Sequence, residues 1–273
     1  VDLWGDVPYS EFNIEGNYAP IADKSSEIYN SLFTLIDEAI GNLKNEEAAN
    51  LLKPAADDLI YNGDKDKWIR MGNTLKLKLL VQCRKAKGEI TGWNEKLAAL
   101  LTENNFMKSG EDFEFKHTQK DNPDERHPAY VDEYLGGQST YYISPWIYEI
   151  MSGINLNVKD NPFTGIVDPR IPYYWVNQIK ADGEAQNTTD YRSGAFVSIF
   201  FASNSSSSGN DQRSTSSFIG IYPCGGKYDN GQGGKCDKNV GTGVAPEKML
   251  QAYSVPFLLA ELYLTGETNG DAK

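Results

Sequence analysis

The fold of this chain is decided by the stretch GDKDKWIRMGNTLKLKLLVQCRKAK, residues Gly63–Lys87. Its apolar residues recur three or four positions apart, which predicts a central helix with one broad buried face. That face comprises Trp68, Met71, Leu75, Leu77, Leu79, Leu80, Val81 and Cys83. Asp64 or Asp66 can cap the first turn, and Gly88 is expected to end the helix. Burying each large side chain contributes about 1.5–3 kcal/mol before chain entropy is subtracted, so this helix requires partner helices.

Two segments flanking the central helix predict such partners. In Glu27–Lys44 the apolar residues fall on one helical face, with Ser25 or Ser26 available as the N-cap. This face comprises Ile28, Leu32, Leu35, Ile36, Ala39, Ile40 and Leu43. Downstream of the central helix, Trp93–Leu101 predicts a further short helix.

Two later segments also predict helices. Tyr141–Met151 predicts one that begins near Pro145, because the fixed φ of proline suits a first turn. Glu247–Leu264 keeps helical spacing on both sides of Pro256. Either that proline bends one helix or it begins a second helix capped by Ser254, and we favour the second.

The region between these helices, about residues 103–246, is expected to be rich in loops. Strands are predicted at Asp112–Lys116 and Phe196–Phe201. Asp168–Val176 contains two prolines, which argue against a regular helix or a central strand, so its aromatic residues are expected on a loop. Ser203–Ser217 is a serine and asparagine tract that we expect to be exposed and mobile.

The composition excludes some classes of partner. The 38 acidic and 26 basic residues give a formal charge of −12, which repels phosphate backbones and argues against nucleic acid. No apolar run of about 18 residues exists to span a membrane, and no basic and then apolar leader opens the chain. Because the chain begins at Val1 in what reads as the middle of a structured region, we expect an internal fragment.

The three cysteines allow more than one interpretation. Cys83 lies on the apolar face of the central helix and is expected to be a small buried side chain. Cys224 and Cys236 flank a glycine-rich loop, and a disulfide between them would restrain that loop by about 3 kcal/mol on the chain-entropy model. One pair at this spacing favours neither the bridge nor two free thiols. Two cysteines without further ligands also make a zinc site improbable.

No cofactor and no metal site is predicted from the sequence. The oxygen-rich stretches Asp121–Glu125 and Asp229–Asn230 lack the spacing of an EF-hand, which favours solvated turns over calcium sites. Gly225–Gly234 lacks the following helix and the lysine-serine pair of a phosphate-binding loop. His117 and His127 are the only histidines and have no cysteine nearby, so no catalytic triad is predicted.

Six segments in sequence order carry a family resemblance. They are LWGDVPYSE (Leu3–Glu11), SEIYNSLFTLIDEAI (Ser26–Ile40), LIYNGDKDKWIRMGNTLKLKLL (Leu59–Leu80), DPRIPYY (Asp168–Tyr174), YPCGGKY (Tyr222–Tyr228) and FLLAELYLTG (Phe257–Gly266). Together they touch nearly the whole chain, which resembles the SusD/RagB family of Bacteroidetes surface lipoproteins, specifically its SusD-like branch.

The resemblance implies a mostly α fold of tetratricopeptide-like helix pairs, with an irregular loop-rich portion and a few short strands. It implies a single domain over residues 1–273 that is truncated at both ends, with its helical core mainly in residues 25–102, 143–152 and 247–265. The signal peptide, the lipid-bearing cysteine and the first helices would precede Val1, and the final helices would follow Lys273. Members of the family are lipid-anchored on the outer face of the outer membrane. They deliver glycans or other nutrients to a TonB-dependent transporter of the SusC type, and they are binders, not enzymes.

The ligand site is predicted from the chemistry of sugars, whose apolar faces lie against aromatic rings while polar side chains bind the hydroxyl groups. The first candidate group is Trp175 with Tyr173, Tyr174 and Asn177, because loops often carry binding residues. The second candidate group is Tyr141, Tyr142 and Trp146. For each residue taken alone, anchoring of a loop to the core is the commoner role.

Three other tryptophans, Trp4, Trp68 and Trp93, are expected in the core, and Arg170 is expected in a structural ion pair. Two other functional classes remain open from the sequence. One is a secreted carbohydrate-active enzyme or accessory protein. Because the chain has 38 acidic residues, two carboxylates can be found at any sequence separation, so the sequence identifies no catalytic pair. The other is a helical scaffold for protein partners.

Overall fold

The computed structural model describes residues 1–47, 52–136, 141–185, 189–203 and 215–268. Its contacts divide the chain into two compact units, the first formed by Val1–Phe115 with Lys248–Lys273 and the second by Lys116–Glu247. The single domain implied over residues 1–273 stays a prediction.

The first unit is helical. Its helices are α1 (Ser25–Lys44), α2 (Lys65–Cys83), α3 (Trp93–Glu103) and α8 (Ser254–Leu264), and a 3₁₀ helix, Arg84–Glu89, follows α2. Helix α2 packs against α1, α3 and α8, which is the central position predicted for it. The strands β1 (Phe113–Lys116) and β6 (Pro246–Leu250), most of whose residues belong to this unit, pair in a two-stranded sheet.

Helix α2 begins as predicted and ends earlier than predicted. The carboxylate of Asp64 accepts a hydrogen bond from Lys67 N at 3.1 Å, so Asp64 is the N-cap. The α-helix ends at Cys83, and Ala86 has non-helical dihedral angles inside the 3₁₀ segment that follows. Leu77 and Leu80 are fully buried, and so are the polar residues Asn73 and Thr74, which the apolar pattern did not include.

The start of α1 and its buried face both differ from the prediction. Ser25 is the first helical residue, and its amide and hydroxyl donate to Asp6 Oδ1 at 2.8 and 2.7 Å, so it does not cap the helix. Leu35 is exposed, whereas Tyr29 and Phe33 are buried in the core shared with α2. The contact face is therefore rotated around the helix axis, because the partner helices accommodate these two rings.

The segment Glu247–Leu264 changes secondary structure along its length. Glu247 to Leu250 lie in strand β6, so the predicted helix there is wrong. Helix α8 is a separate element, as we favoured, but its N-cap is Tyr253 and Ser254 is its first residue. Pro256 consequently falls in the first turn, where a missing amide hydrogen costs no helical hydrogen bond.

The second unit is built from short elements around aromatic side chains. They are α4 (Pro128–Tyr130), a π-helical turn (Val131–Leu135), α5 (Pro145–Ser152), α6 (Ile171–Tyr174), β2 (Trp175–Val176), β3 (Tyr191–Ser193), β4 (Phe196–Ser198), β5 (Phe218–Ile219) and α7 (Ile221–Cys224). Strand β2 pairs antiparallel with β5, and β3 with β4. Helix α5 begins at Pro145, which confirms that prediction.

Three predictions for loops and strands in this unit need correction. Asp168–Val176 is not all loop, because Pro172 occupies an early helical position in α6 and β2 follows at once. Strand β4 stops at Ser198, and Phe201 lies beyond it with an almost fully exposed ring. At the end of the serine-rich tract, residues 215–217 are buried, while residues 204–214 lie outside the described part of the chain.

All three cysteines are free thiols and are buried. Cys83 lies on α2 as expected, and Cys224 and Cys236 share an apolar cluster with Tyr130 and Tyr134. Burial raises the pKa of both Cys224 and Cys236 to about 12. Of the two alternatives that the sequence left open, the structure has the free thiols.

The free and buried state of these thiols predicts their reactivity. With a pKa of about 12, only about one Cys224 or Cys236 thiol in 10⁴ is ionised at pH 8, and the thiolate is the reactive form. We expect an aromatic disulfide reagent to react slowly with the native chain and to titrate three thiols after denaturation without reductant. One thiol per denatured chain would instead indicate a disulfide.

The packing of α2 predicts a large difference between two leucines in adjacent helices. Leu77→Ala removes a fully buried side chain and should lower the free energy of unfolding by about 2–5 kcal/mol. Leu35→Ala removes an exposed side chain from α1 and should change it by no more than about 0.5 kcal/mol. Urea denaturation followed by circular dichroism measures both, and equal effects would contradict the central position of α2.

Candidate functional site

The first predicted group of site residues separates into exposed and buried members. Tyr173 is half exposed at the end of α6, and Tyr174 is partly buried beside it. Trp175 is only 2% exposed and packs near the rings of Tyr148 and Phe196, with centroids 5.9 and 6.0 Å away. A ring buried in this way presents no face to a ligand, so Trp175 is a core residue and not an exposed platform.

Asn177 also has a structural role. Its Nδ2 donates to Asp229 Oδ2 at 2.9 Å, and its Oδ1 accepts from the hydroxyl of Ser217 at 2.7 Å. The backbone amide of Asn177 donates to the same Asp229 oxygen at 3.1 Å. These bonds fix the position of Asp229, which directly follows Tyr228.

The structure brings Tyr173 and Tyr174 together with two tyrosines from a distant segment. The ring centroids of Tyr173 and Tyr228 are 4.9 Å apart, and those of Tyr174 and Tyr222 are 5.2 Å apart. Tyr173, Tyr222 and Tyr228 are each between 43% and 50% exposed. We call these four residues the tyrosine surface. It offers several adjacent ring faces to solvent.

Backbone contacts hold the two halves of the tyrosine surface in register. Strands β2 and β5 pair directly after α6 and directly before α7. Gly220 N donates to Tyr174 O at 2.7 Å, and a Cβ at Gly220 would lie 2.6 Å from Tyr173 O, so only glycine permits this approach. Asp229 N donates to Pro172 O at 2.9 Å on the other side.

A buried tyrosine, Tyr134, hydrogen-bonds to the backbone of the segment that carries Tyr222 and Tyr228. The hydroxyl of Tyr134 donates to Ile219 O at 2.6 Å and accepts from Lys227 N at 2.9 Å. A Cβ at Gly226 would lie 2.3 Å from the Tyr134 hydroxyl oxygen, which explains the glycine there. Burial raises the pKa of Tyr134, so this hydroxyl remains a neutral donor at physiological pH. The backbone before Tyr222 and before Tyr228 is therefore anchored on one side chain.

One ion pair lies at the edge of the tyrosine surface. The Arg170 Nη2 is 2.6 Å from Asp168 Oδ2, and the guanidinium carbon is 5.9 Å from the ring centroid of Tyr174. The hydrogen bonds from Arg170 hold the pKa of Asp168 below its usual value. The structural ion pair predicted for Arg170 is confirmed, and it places polar groups beside the rings.

An apolar cavity of about 590 Å³ adjoins this edge. It is lined by Arg170, Asp168 and Tyr174 together with apolar residues of α5 and of the loop that follows it. Those apolar residues are Ile147, Ile150, Met151, Phe163, Ile166, Val167 and Pro169. The buried carboxylate of Glu149 holds that loop, because it accepts hydrogen bonds from Asn157 N at 2.8 Å and Val158 N at 2.7 Å.

Two members of the second predicted group line a separate cavity of about 520 Å³. Tyr141 and Tyr142 line it with Phe200 and Phe201. The ring of Trp146 is 44% exposed and lies 5.1 Å from that of Phe200. This second aromatic surface is thus formed by Tyr141, Tyr142, Trp146, Phe200 and Phe201.

A family model described as "Starch-binding associating with outer membrane" matches residues 1–273 of the chain. The chain belongs to this SusD-like family. The match covers every segment that carried the sequence resemblance. No curated protein sequence matches the chain. Within the described residues, every helix is too short or too polar to cross a membrane.

Solved SusD homologues share the fold. A SusD homolog from Parabacteroides distasonis matches with a TM-score of 0.59 and 19% identity, covering 98% of this chain and 50% of that one. A chitin-binding SusD homolog from Flavobacterium johnsoniae gives 0.61 and 19%, covering 98% and 45%. A SusD-like protein from Bacteroides thetaiotaomicron gives 0.58 and 20%, covering 98% and 46%. This chain therefore spans about half the length of these relatives, and the mostly α, tetratricopeptide-like fold is confirmed.

The sequence of this SusD-like chain does not by itself identify Tyr222 and Tyr228 as site candidates. Both lie in the YPCGGKY segment, which carried the family resemblance but was not connected to Tyr173. The available signal was the pair of tyrosines at the two ends of a loop that contains three residues typical of turns. The expectation for Trp4 was also wrong, because it is 82% exposed in a turn at the start of the chain, whereas Trp93 is buried. Trp68 is partly buried, and its indole donates to Asp58 Oδ2 at 2.8 Å.

The burial of Trp175 predicts that its removal affects stability. Trp175→Ala deletes a large ring from the aromatic core and should lower the free energy of unfolding by about 3–5 kcal/mol. Trp4→Ala is the matched control, because the exposed ring of Trp4 should contribute no more than about 0.5 kcal/mol. Thermal unfolding measures both variants. A Trp175→Ala variant as stable as the wild type would contradict the packing described above.

Proposed function

We propose that this SusD-like chain is a non-enzymatic, cell-surface glycan-binding protein whose ligand site is the tyrosine surface. The observation that carries the proposal is the pairing of Tyr173 with Tyr228 and of Tyr174 with Tyr222, with Tyr173, Tyr222 and Tyr228 exposed to solvent. The family description as starch-binding and associated with the outer membrane supports a saccharide as the ligand.

The chemistry of the tyrosine surface suits a neutral oligosaccharide. Sugar rings present apolar C–H faces that pack on aromatic rings, and the tyrosine hydroxyls can both donate and accept hydrogen bonds. The positive charge of Arg170 is compensated by Asp168, so Arg170 does not favour an anionic ligand. The net charge of −12 also opposes the binding of acidic glycans.

The wider role follows from the family and belongs to the proposal. We infer that the full-length protein is held at the outer membrane by an N-terminal lipid and passes its ligand to a SusC-like TonB-dependent transporter. Neither a cofactor nor nucleic acid takes part in this role. Because one structural relative is described as chitin-binding, chitooligosaccharides should be tested beside maltooligosaccharides.

Binding of maltoheptaose and chitohexaose should depend on the tyrosine surface. Tyr173→Ala and Tyr228→Ala each remove a ring of one aromatic pair, so each should weaken the affinity for the bound oligosaccharide at least tenfold. Isothermal titration calorimetry measures the dissociation constants. Tyr18→Ala is the matched control, since Tyr18 is a fully exposed tyrosine of the first unit.

Two further arms make this experiment decisive. Trp146→Ala and Tyr141→Ala test the second aromatic surface, and a loss of binding there with unchanged binding in Tyr173→Ala would move the site. An assay for reducing sugar on each bound oligosaccharide should detect no cleavage. Release of reducing ends by the wild-type chain would favour the carbohydrate-active enzyme over the binding protein.

A further inference from the structure

A cluster of metal-ligating side chains lies in the second unit and shares no residue with the tyrosine surface. It consists of His117, His127 and Glu247, and one ligand atom from each lies within 4.8 Å of the other two. The imidazole rings of His117 and His127 have centroids 5.0 Å apart at an angle of 63°. No sequence motif connects these residues, because Glu247 is 120 residues after His127 and lies on strand β6.

The hydrogen bond of His117 prepares this ring to bind a cation. Its Nδ1 is 3.1 Å from the backbone oxygen of Glu125, and a carbonyl oxygen can only accept a hydrogen bond. The proton of the neutral ring therefore lies on Nδ1, and the lone pair lies on Nε2. This is the arrangement in which metal-bound histidines are usually held by a carbonyl group behind the ring.

The ring of His127 is held in the opposite tautomer. Its Nδ1 accepts from Ala129 N at 3.1 Å, so the neutral ring carries its proton on Nε2, which donates to Glu247 Oε2 at 3.1 Å. Ligation through Nε2 requires this proton to move to Nδ1, which gives up the bond from Ala129. No net proton is released, and the freed Glu247 oxygen becomes a ligand atom.

We propose that His117, His127 and Glu247 bind one Zn²⁺ ion. Two imidazole nitrogens and one carboxylate oxygen form a ligand set typical of zinc, with a fourth position for water. Adjacent ligand atoms of a tetrahedral zinc ion with bonds of about 2.0–2.1 Å lie about 3.3 Å apart. The observed 3.1 Å between His127 Nε2 and Glu247 Oε2 is close to this, and the ligand atoms of all three residues lie within 4.8 Å of one another. Calcium prefers ligands made of oxygen alone and does not match two histidines.

The position of the cluster indicates what the ion does. The second unit runs from Lys116 to Glu247, so His117 and Glu247 lie at its two ends. His127 precedes helix α4 and caps it. A zinc ion held by all three closes a loop of more than a hundred residues, which restricts the unfolded chain and stabilises the native one. The ion would therefore stabilise the second unit, and its three ligands are not residues of the tyrosine surface.

Calorimetric titration of ZnCl₂ into the metal-stripped chain, without an affinity tag, tests this proposal. We expect one saturable site per chain and a rise in the thermal midpoint when zinc is present. His117→Gln and Glu247→Gln should each weaken zinc binding at least tenfold and abolish the rise. Glu114→Gln, a carboxylate on the neighbouring strand β1, is the matched control and should change neither. CaCl₂ at the same concentration should give no saturable binding to the cluster.

Nuclear magnetic resonance of the imidazole nitrogens supplies a second readout, because the chain has only two histidines. Without zinc, His117 should show the Nδ1–H tautomer and His127 the Nε2–H tautomer. With one equivalent of zinc, both rings should shift and His127 should change to Nδ1–H. Two results would overturn the proposal. One is a zinc affinity that is unchanged in both His117→Gln and Glu247→Gln, and the other is imidazole nitrogen signals that do not shift in either ring when zinc is added. If His117→Gln fails to fold, the exposed side chain of Glu247 allows Glu247→Gln to decide.

Discussion

The first unit depends on the burial of helix α2, which buries polar residues as well as its apolar face. Asn73 and Thr74 lie inside this helix and are almost fully buried, so their polar atoms need partners within the protein. Asn73 Nδ2 donates to Asn105 O at 3.1 Å, and Thr74 Oγ1 accepts from Met107 N at 3.0 Å. The segment after α3 must therefore run along α2, because another route would leave buried polar groups without hydrogen bonds. Glu111 continues this contact by pairing with Arg70 through both carboxylate oxygens, at 2.6 and 2.7 Å.

The second unit uses buried polar side chains where the first uses a helix bundle. Tyr134 and Glu149 each bond backbone atoms outside their own helices, and each fixes a stretch that has little regular structure. A buried polar side chain stabilises a loop only when all of its hydrogen-bond donors and acceptors have partners. In Glu149 the amides of the loop outweigh the desolvation of the carboxylate and lower its pKa. These residues explain how a region with few helices keeps two aromatic surfaces in place.

The same contrast determines what could be predicted from the sequence. Helical periodicity located α2, α3 and α5, because a continuous apolar face is a local property of the chain. It could not choose between Leu35 and Phe33 on α1, since either fits a helical face and the partner helices decide which one is buried. It also could not separate Trp175 from Tyr173, because their exposure depends on the pairing of β2 with β5, some forty residues away. Hydrogen bonds between distant segments leave no periodic signal.

The same reason limits what the sequence predicts of the tyrosine surface. The sequence predicts Tyr173 and Tyr174 as candidates, but not the ring that packs against each of them, because Tyr222 and Tyr228 approach only after β5 pairs with β2. The rings of the tyrosine surface are positioned by backbone bonds at Gly220 and Asp229 and by the hydroxyl of Tyr134, all of which are contacts within the protein itself. A saccharide would therefore meet rings whose backbone is already ordered, which reduces the entropy lost on binding. This pre-organisation allows a few exposed tyrosines to bind a flexible and strongly hydrated ligand, for which loosely held loops would be a poor platform.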